Sequence, residues 1–169
     1  MNFGICYGMG AYSLAQSTGM TEQQADRFIS QYFKRFNRVK AWLDGTRRKM
    51  ARDHYVDTLY GRRRPFPDME NRPTGERRRA ERLAINHPVQ GTAADVIKLA
   101  MIKLHRELKS GGYRSLLTLQ VHDELVIDVA PGEAEAVGEL VRREMETAVT
   151  LSVPLKAEMG VGPNWNDVA

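Results

Sequence analysis

Apolar positions along this chain repeat with two periods, and the changes of period mark out its elements. Thr21-x-x-Gln24 has the form of a capping box, and Ala25, Phe28, Ile29, Tyr32, Phe33 and Phe36 follow at helical spacing. Val39, Trp42 and Leu43 carry the pattern on, with Gly45 as a kink or a break. Upstream, residues 2–16 also read as helical, although Gly4, Gly8 and Gly10 each cost roughly 1 kcal/mol relative to alanine inside a helix. That segment is expected to be less ordered than the rest. Residues 55–60 read as a short strand with a turn at Gly61, followed by a proline-rich connection through Pro65, Pro67 and Pro73. Residues 76–86 read as a helix that stops or bends before Pro88, because the residue preceding a proline is biased away from helical angles. A further helix over 90–108 carries the stripe Ala93, Val96, Ile97, Ala100, Met101, Leu104 and Leu108, and Ser110-Gly111-Gly112 ends it.

The period then shortens to two. Leu117, Leu119 and Val121 alternate with polar residues, Leu125, Ile127 and Val129 do the same, and a turn falls between them at His122-Asp123-Glu124. Residues 133–149 are amphipathic through Val137, Leu140, Val141, Met145 and Ala148, and Leu155, Ala157 and Met159 alternate as a last strand. Helices, a short β excursion, helices, a hairpin, a helix and a strand predict an α+β fold with an antiparallel sheet.

Composition narrows the class. At 169 residues and 42% hydrophobic, the chain suits one domain or a piece of a larger one. No run approaches ~18 consecutive apolar residues, so no membrane is expected as a partner. The start lacks the basic and apolar regions of a secretion signal, which points to a cytoplasmic location. Cys6 is alone and no Cys/His cluster has zinc-ligand spacing, which argues against a structural zinc. The net charge of +4 is concentrated: residues 61–82 hold eight arginines against Asp68, Glu70, Glu76 and Glu81, and the remaining chain balances. Such a block is either a solvated basic face or a nucleic-acid footprint.

Chemistry is suggested first by Asp123 and Glu124. Two neighbouring carboxylates repel one another unless a cation or metal lies over them, although an exposed acidic turn also accommodates them. Magnesium, which takes hard oxygen ligands and is held by one or two carboxylates plus substrate phosphates, suits Asp123. In the N-terminal segment Phe3 and Tyr7 lie one turn apart, as do Gly4 and Gly8. An aromatic stripe beside a bare backbone stripe suits either tight helix packing or the approach of a flat group.

Taken together, these strings resemble the C-terminal portion of family A DNA polymerases, the DNA polymerase I type. Asn2-Phe3-Gly4-Ile5-Cys6-Tyr7-Gly8-Met9 is similar to the end of that family's motif B, and Thr58-Leu59-Tyr60-Gly61-Arg62-Arg63 to its TLxGRR segment. Arg82 to Asp95 resembles R-x-x-x-N-x-P-x-Q-G-T-A-A-D, Gln120-Val121-His122-Asp123-Glu124 resembles motif C, and Gly162-Pro163-Asn164-Trp165 the usual G-x-N-W ending. The resemblance covers essentially the whole chain in family order. It implies a partial polymerase domain over 1–169, with about 1–55 belonging to the fingers and about 56–169 to a palm whose β-hairpin bears the carboxylates.

The resemblance also implies roles. Asp123 and Glu124 are the catalytic carboxylates, Asp123 binding Mg2+ in a two-metal site, and His122 lies close to the primer terminus. Phe3 and Tyr7 bind or border the incoming nucleotide. Arg82, Asn86 and Gln90 contact primer-template DNA, where minor-groove acceptors common to every base pair check geometry without reading sequence. Arg62 and Arg77-Arg78-Arg79 are expected on phosphates. The implied partners are primer-template DNA, dNTP and the remaining N-terminal part of the polymerase, and the implied location is the nucleoid if the source is bacterial. The family's motif A carboxylate strand, early motif B, thumb and exonuclease regions have no counterpart here, so the expectation is a C-terminal segment inactive alone. The alternative is a non-catalytic primer-template binding module derived from such a polymerase.

Overall fold

The computed structural model describes residues 2–168, which fall into two compact units divided after Thr92. In the first unit, α1 (Asn2–Cys6) and α2 (Ala11–Thr18) precede α3 (Glu22–Arg35) and α4 (Asn37–Asp53). β1 (Tyr55–Asp57) then pairs antiparallel with β2 (Arg63–Pro65), and α5 (Thr74–Asn86) leads into a π-helical turn, His87–Gly91.

The capping box forms as the sequence predicts: the Thr21 hydroxyl accepts from the Gln24 N–H and the Gln24 side chain accepts from the Thr21 N–H. Ile5, Leu14 and Ala25 are buried behind it, flanked by Ile29, Tyr32 and Phe33. A second cluster joins Met50 on α4, Val56 on β1, Phe66, Met69, and Ala80 and Ala84 on α5.

Four expectations change here. The helix foreseen over 2–16 is broken between α1 and α2, where Gly8 turns to φ +87°. Gly45, by contrast, breaks nothing: α4 runs through it because Leu43, Thr46 and Met50 bury one face, and a single helical glycine costs too little to undo that. The interruption lies at Phe36 instead, with φ −104° and ψ 54°. The connection after Gly61 contains β2, whose Arg63, Arg64 and Pro65 face Asp57, Val56 and Tyr55. Finally, helical backbone continues past Pro88. His87 keeps φ −58° and ψ −44°, and the turn widens, with the Thr92 N–H shared between the carbonyls of Pro88 and Val89.

The second unit contains α6 (Thr92–Ser110) beyond its first residue, β3 (Leu116–Val121), β4 (Glu124–Asp128) and α7 (Ala134–Glu146). Leu104 and Leu108 of α6 meet Val137, Leu140 and Val141 of α7, and Leu117, Leu125 and Ile127 of the hairpin close over them. The hairpin is not regularly alternating. A bulge at Thr118 sets Leu117 opposite Ile127 but Leu119 opposite Val126, so Leu119 and Val121 turn to the face away from the cluster, and Leu119 is 52% exposed. The base of the hairpin is latched by Glu133, whose carboxylate accepts from the Arg114 N–H, the Ser115 N–H and the Ser115 hydroxyl at 2.6 Å.

The last strand expected at Leu155–Met159 does not form. Alternation makes a strand only where a neighbour completes the ladder, and here the segment is tied by single contacts, the Ala157 N–H to Glu146 and Met159 against Gly138.

Candidate carboxylate turn and nucleic-acid interface

β3 and β4 are joined by two residues, His122 and Asp123, so Val121 pairs with Glu124 and the turn is one residue tighter than expected. His122 takes the left-handed conformation at φ +54°, and its carbonyl accepts from the Gln120 side-chain amide. His122, Asp123 and Glu124 are all exposed. Neither carboxylate is engaged by a hydrogen bond or ion pair among the described residues. Their oxygens are hard donors, fitted to a magnesium ion that keeps waters and takes phosphate oxygens as further ligands. Among the described residues no group of three or more His, Cys, Asp or Glu could hold a metal ion. The turn therefore supplies part of a ligand set.

In the first unit the break after α1 is set against α5. A Cβ added to Gly8 would lie 2.9 Å from Cδ1 of Ile85 and 3.4 Å from Cγ of Arg82. Positive φ and close approach both select glycine there, and together they bring Tyr7 and Gly8 beside Arg82. Tyr7 is half-buried, whereas Phe3 is 76% exposed. The short α1 is tied to α3 by the Tyr32 hydroxyl, which donates to Asn2 Oδ1 at 2.5 Å and lies 3.2 Å from Cys6 Sγ. Contact with the Cys6 thiol, then burial, push this phenol up to about 12.

Along α5 and the π turn, Arg82 and Gln90 are exposed and Asn86 is half-buried. The Oδ1 atom of Asn86 is enclosed and has no hydrogen-bond partner among the described residues. The wider turn alters the angle between Asn86 and Gln90 from that of a regular helix, so the three residues do not share a face simply by being four apart.

Arg62, expected on a phosphate, is also held within the chain. Its guanidinium donates to the Gly91 carbonyl at 2.8 Å, its N–H donates to the Thr58 hydroxyl, and its carbonyl lies 3.2 Å from His87 Nε2. The Leu59 N–H donates to the Thr92 hydroxyl. The segment from Thr58 to Arg63 is thus a clamp on the π turn that carries Gln90. A Cβ on Gly91 would meet Thr58 Cγ2 at 2.6 Å, so glycine permits the clamp to close. Sequence reasoning missed this role; the available signal was a Gly-Thr pair placed just beyond a helical proline. Nearby, Asp57 is flanked by Lys49 and Arg63, and the Arg63 guanidinium lies 4.3 Å from the Tyr55 ring centre.

The structure thus assembles Tyr7, Gly8, Arg82, Asn86, Gln90 and Arg62 in one unit and His122, Asp123 and Glu124 in the other. Residues 1–167 match the family described as DNA polymerase family A. The thermostable DNA polymerase I of Thermus aquaticus is 48% identical over 165 residues, which cover 98% of this chain and 20% of that protein. DNA polymerase I of Caldicellulosiruptor bescii is 46% identical over 166 residues, again 98% of this chain and 19% of that one. Among solved structures, the POL domain of Pol1 from M. smegmatis, in complex with DNA primer-template and dNTP, superimposes with a TM-score of 0.94 at 40% identity, covering 99% of this chain and 30% of that one. The chain spans about a fifth of the length of the curated relatives it matches.

Proposed function

The chain belongs to DNA polymerase family A, and from that premise we propose that it forms the part of a DNA-directed DNA polymerase that holds the primer-template terminus and one side of the metal site. The observation that carries the reading is Asp123 and Glu124, exposed and unengaged at a two-residue turn, in a chain that matches this family over residues 1–167. Asp123 would hold Mg2+, with Glu124 beside it and His122 near the primer end. Divalent ions in such a site neutralise charge on the attacking and leaving oxygens of phosphoryl transfer.

The chain's own residues would bind and orient. Phe3 presents a bare aromatic face to the nucleotide base, and Tyr7 borders the templating position. Arg82 and Gln90 are exposed and reach the DNA, and the side-chain amide of the half-buried Asn86 donates to groove acceptors. Arg62 acts by positioning: bound to the Gly91 carbonyl, it fixes the π turn on which Gln90 rides. The alternative is a primer-template binding module without turnover, which the exposed Arg82 and Gln90, in the unit that does not carry the carboxylates, would serve.

The test is a chimera in which this segment replaces its counterpart in the Thermus aquaticus enzyme. Mg2+-dependent primer extension is expected, and Asp123→Ala should lower it at least about a thousandfold with primer-template affinity nearly unchanged. Full extension by the Asp123→Ala chimera would refute the assignment.

A further inference from the structure

Nothing in α1 makes it stable by itself. It has five residues, one of them Gly4, and a helix so short is held only by what it touches. Ile5 seats one side of it, buried with Leu14 and Ala25. A single apolar contact sets how deep a helix lies but leaves it free to roll about its axis. At about 100° per residue, the order round that axis is Ile5, then Asn2 and Cys6, then Phe3. Phe3 is 76% exposed, so its own packing contributes little to its direction, which follows the roll of the helix.

The Asn2–Cys6 edge is where Tyr32 of α3 takes hold. Its hydroxyl donates to Asn2 Oδ1 at 2.5 Å and lies 3.2 Å from Cys6 Sγ. Because the amide oxygen only accepts and the phenol has one proton, the Cys6 thiol is the donor in the second contact. Two residues one turn apart on α1 thus converge on a single oxygen. The ring that carries this oxygen is itself braced, edge-on to Phe33 at 5.4 Å between centroids and tilted on Phe36 at 4.8 Å. A roll of about 20° would carry a side chain about 5–6 Å from the axis through about 2 Å. Displacements of about 1 Å at a reacting complex are enough to lower a rate by up to about a hundredfold.

We propose that Tyr32 is a positioning residue for nucleotide binding: by tying Asn2 and Cys6 to one point on α3, it sets the roll of α1 and with it the direction of the Phe3 ring. This rests on the reading of Phe3 as the aromatic face met by the nucleotide base. Tyr32 touches no reactant and acts through Phe3 alone.

The experiment uses the chimera with the Thermus aquaticus enzyme and measures single-turnover addition of one nucleotide across dNTP concentrations, which separates the apparent Kd for dNTP from the maximal rate. Tyr32→Phe should raise that Kd about fivefold, the factor that one ordinary hydrogen bond gives, with primer-template affinity unchanged. In a Phe3→Ala background, the same change should weaken dNTP binding by no more than about a further twofold, because the residue it acts through is gone. Leu43→Val, buried on α4 outside the Ile5 cluster, should lower the urea midpoint and leave the Kd for dNTP unchanged. If Tyr32→Phe loses its helical circular dichroism, Asn2→Ala is read instead, with the same expectation, since it removes the acceptor and keeps the ring packing. An unchanged Kd for dNTP in Tyr32→Phe, with a raised one in Phe3→Ala, overturns this inference and leaves the nucleotide reading intact. Additive losses in the double variant, or an equal rise in Leu43→Val, overturn it in favour of general loosening. No extension by the parent chimera, or an unchanged Kd in Phe3→Ala, removes the underlying reading and this inference with it.

Discussion

At Gly91 the space available, more than the backbone angle, dictates the residue. The methyl of an alanine would lie within 3 Å of Thr58 Cγ2 and close to the His87 ring. Gly91→Ala should therefore force the Thr58–Arg63 clamp off the π turn and cost about 1–3 kcal/mol, measured by chemical unfolding. At the hairpin base, Glu133 is controlled by its donors. The Ser115 hydroxyl first, then the Arg114 N–H, hold its carboxyl below the usual glutamate range. A group whose pKa is lower folded than unfolded contributes fully above the unfolded value and loses that contribution as pH falls through the folded one. Wild type should then exceed Glu133→Gln in urea midpoint at neutral pH, and the gap should narrow below about pH 4.3. A gap independent of pH would mean that the carboxylate's charge is not its source. Both residues were visible in the sequence as a helix-adjacent glycine and an early-helix acid. Neither role was, because each depends on a partner more than fifteen residues away.

At the scale of elements, periodicity located the helices and the hairpin, while their interruptions needed the structure. The Thr118 bulge turns Leu119 outward, whereas Leu104 is fully buried. Leu119→Lys should change stability by no more than about 0.5 kcal/mol, whereas Leu104→Ala should cost about 2–5 kcal/mol. Strict alternation would have made Leu119 a core position, so a large cost there would refute the observed register. Between α1 and α3, the Tyr32 hydroxyl bond to Asn2 crosses thirty residues. Removing it in Tyr32→Phe should free α1 by about 1 kcal/mol, read as faster amide exchange over residues 2–6 with α3 unaltered. The glycines forecast a weak N-terminal helix. What they did not reveal is that it ends at Cys6 and that Gly8 follows with positive φ, where a Cβ would collide with Ile85 and crowd Arg82.

For the molecule as a whole, Asp123 and Glu124 stand in one compact unit and Arg82, Asn86 and Gln90 in the other, and among the described residues no group of three or more His, Cys, Asp or Glu lies together. The 169-residue chain alone should bind primer-template DNA in a salt-dependent way yet incorporate no nucleotide with Mg2+ present. Extension by purified protein free of other polymerases would contradict this. The sequence by itself determined the family, the main helices and the carboxylate hairpin, and it nominated Asp123, Glu124 and the Arg82, Asn86, Gln90 series, because motif chemistry and hydrophobic period are local properties of the chain. Only the tertiary structure decided that the helix continues through Pro88, that Arg62 clamps a turn, that Leu119 faces outward and that Tyr32 ties α1 to α3. Each of these depends on which distant groups satisfy, crowd or neutralise a residue, and those partners meet only when the chain is folded.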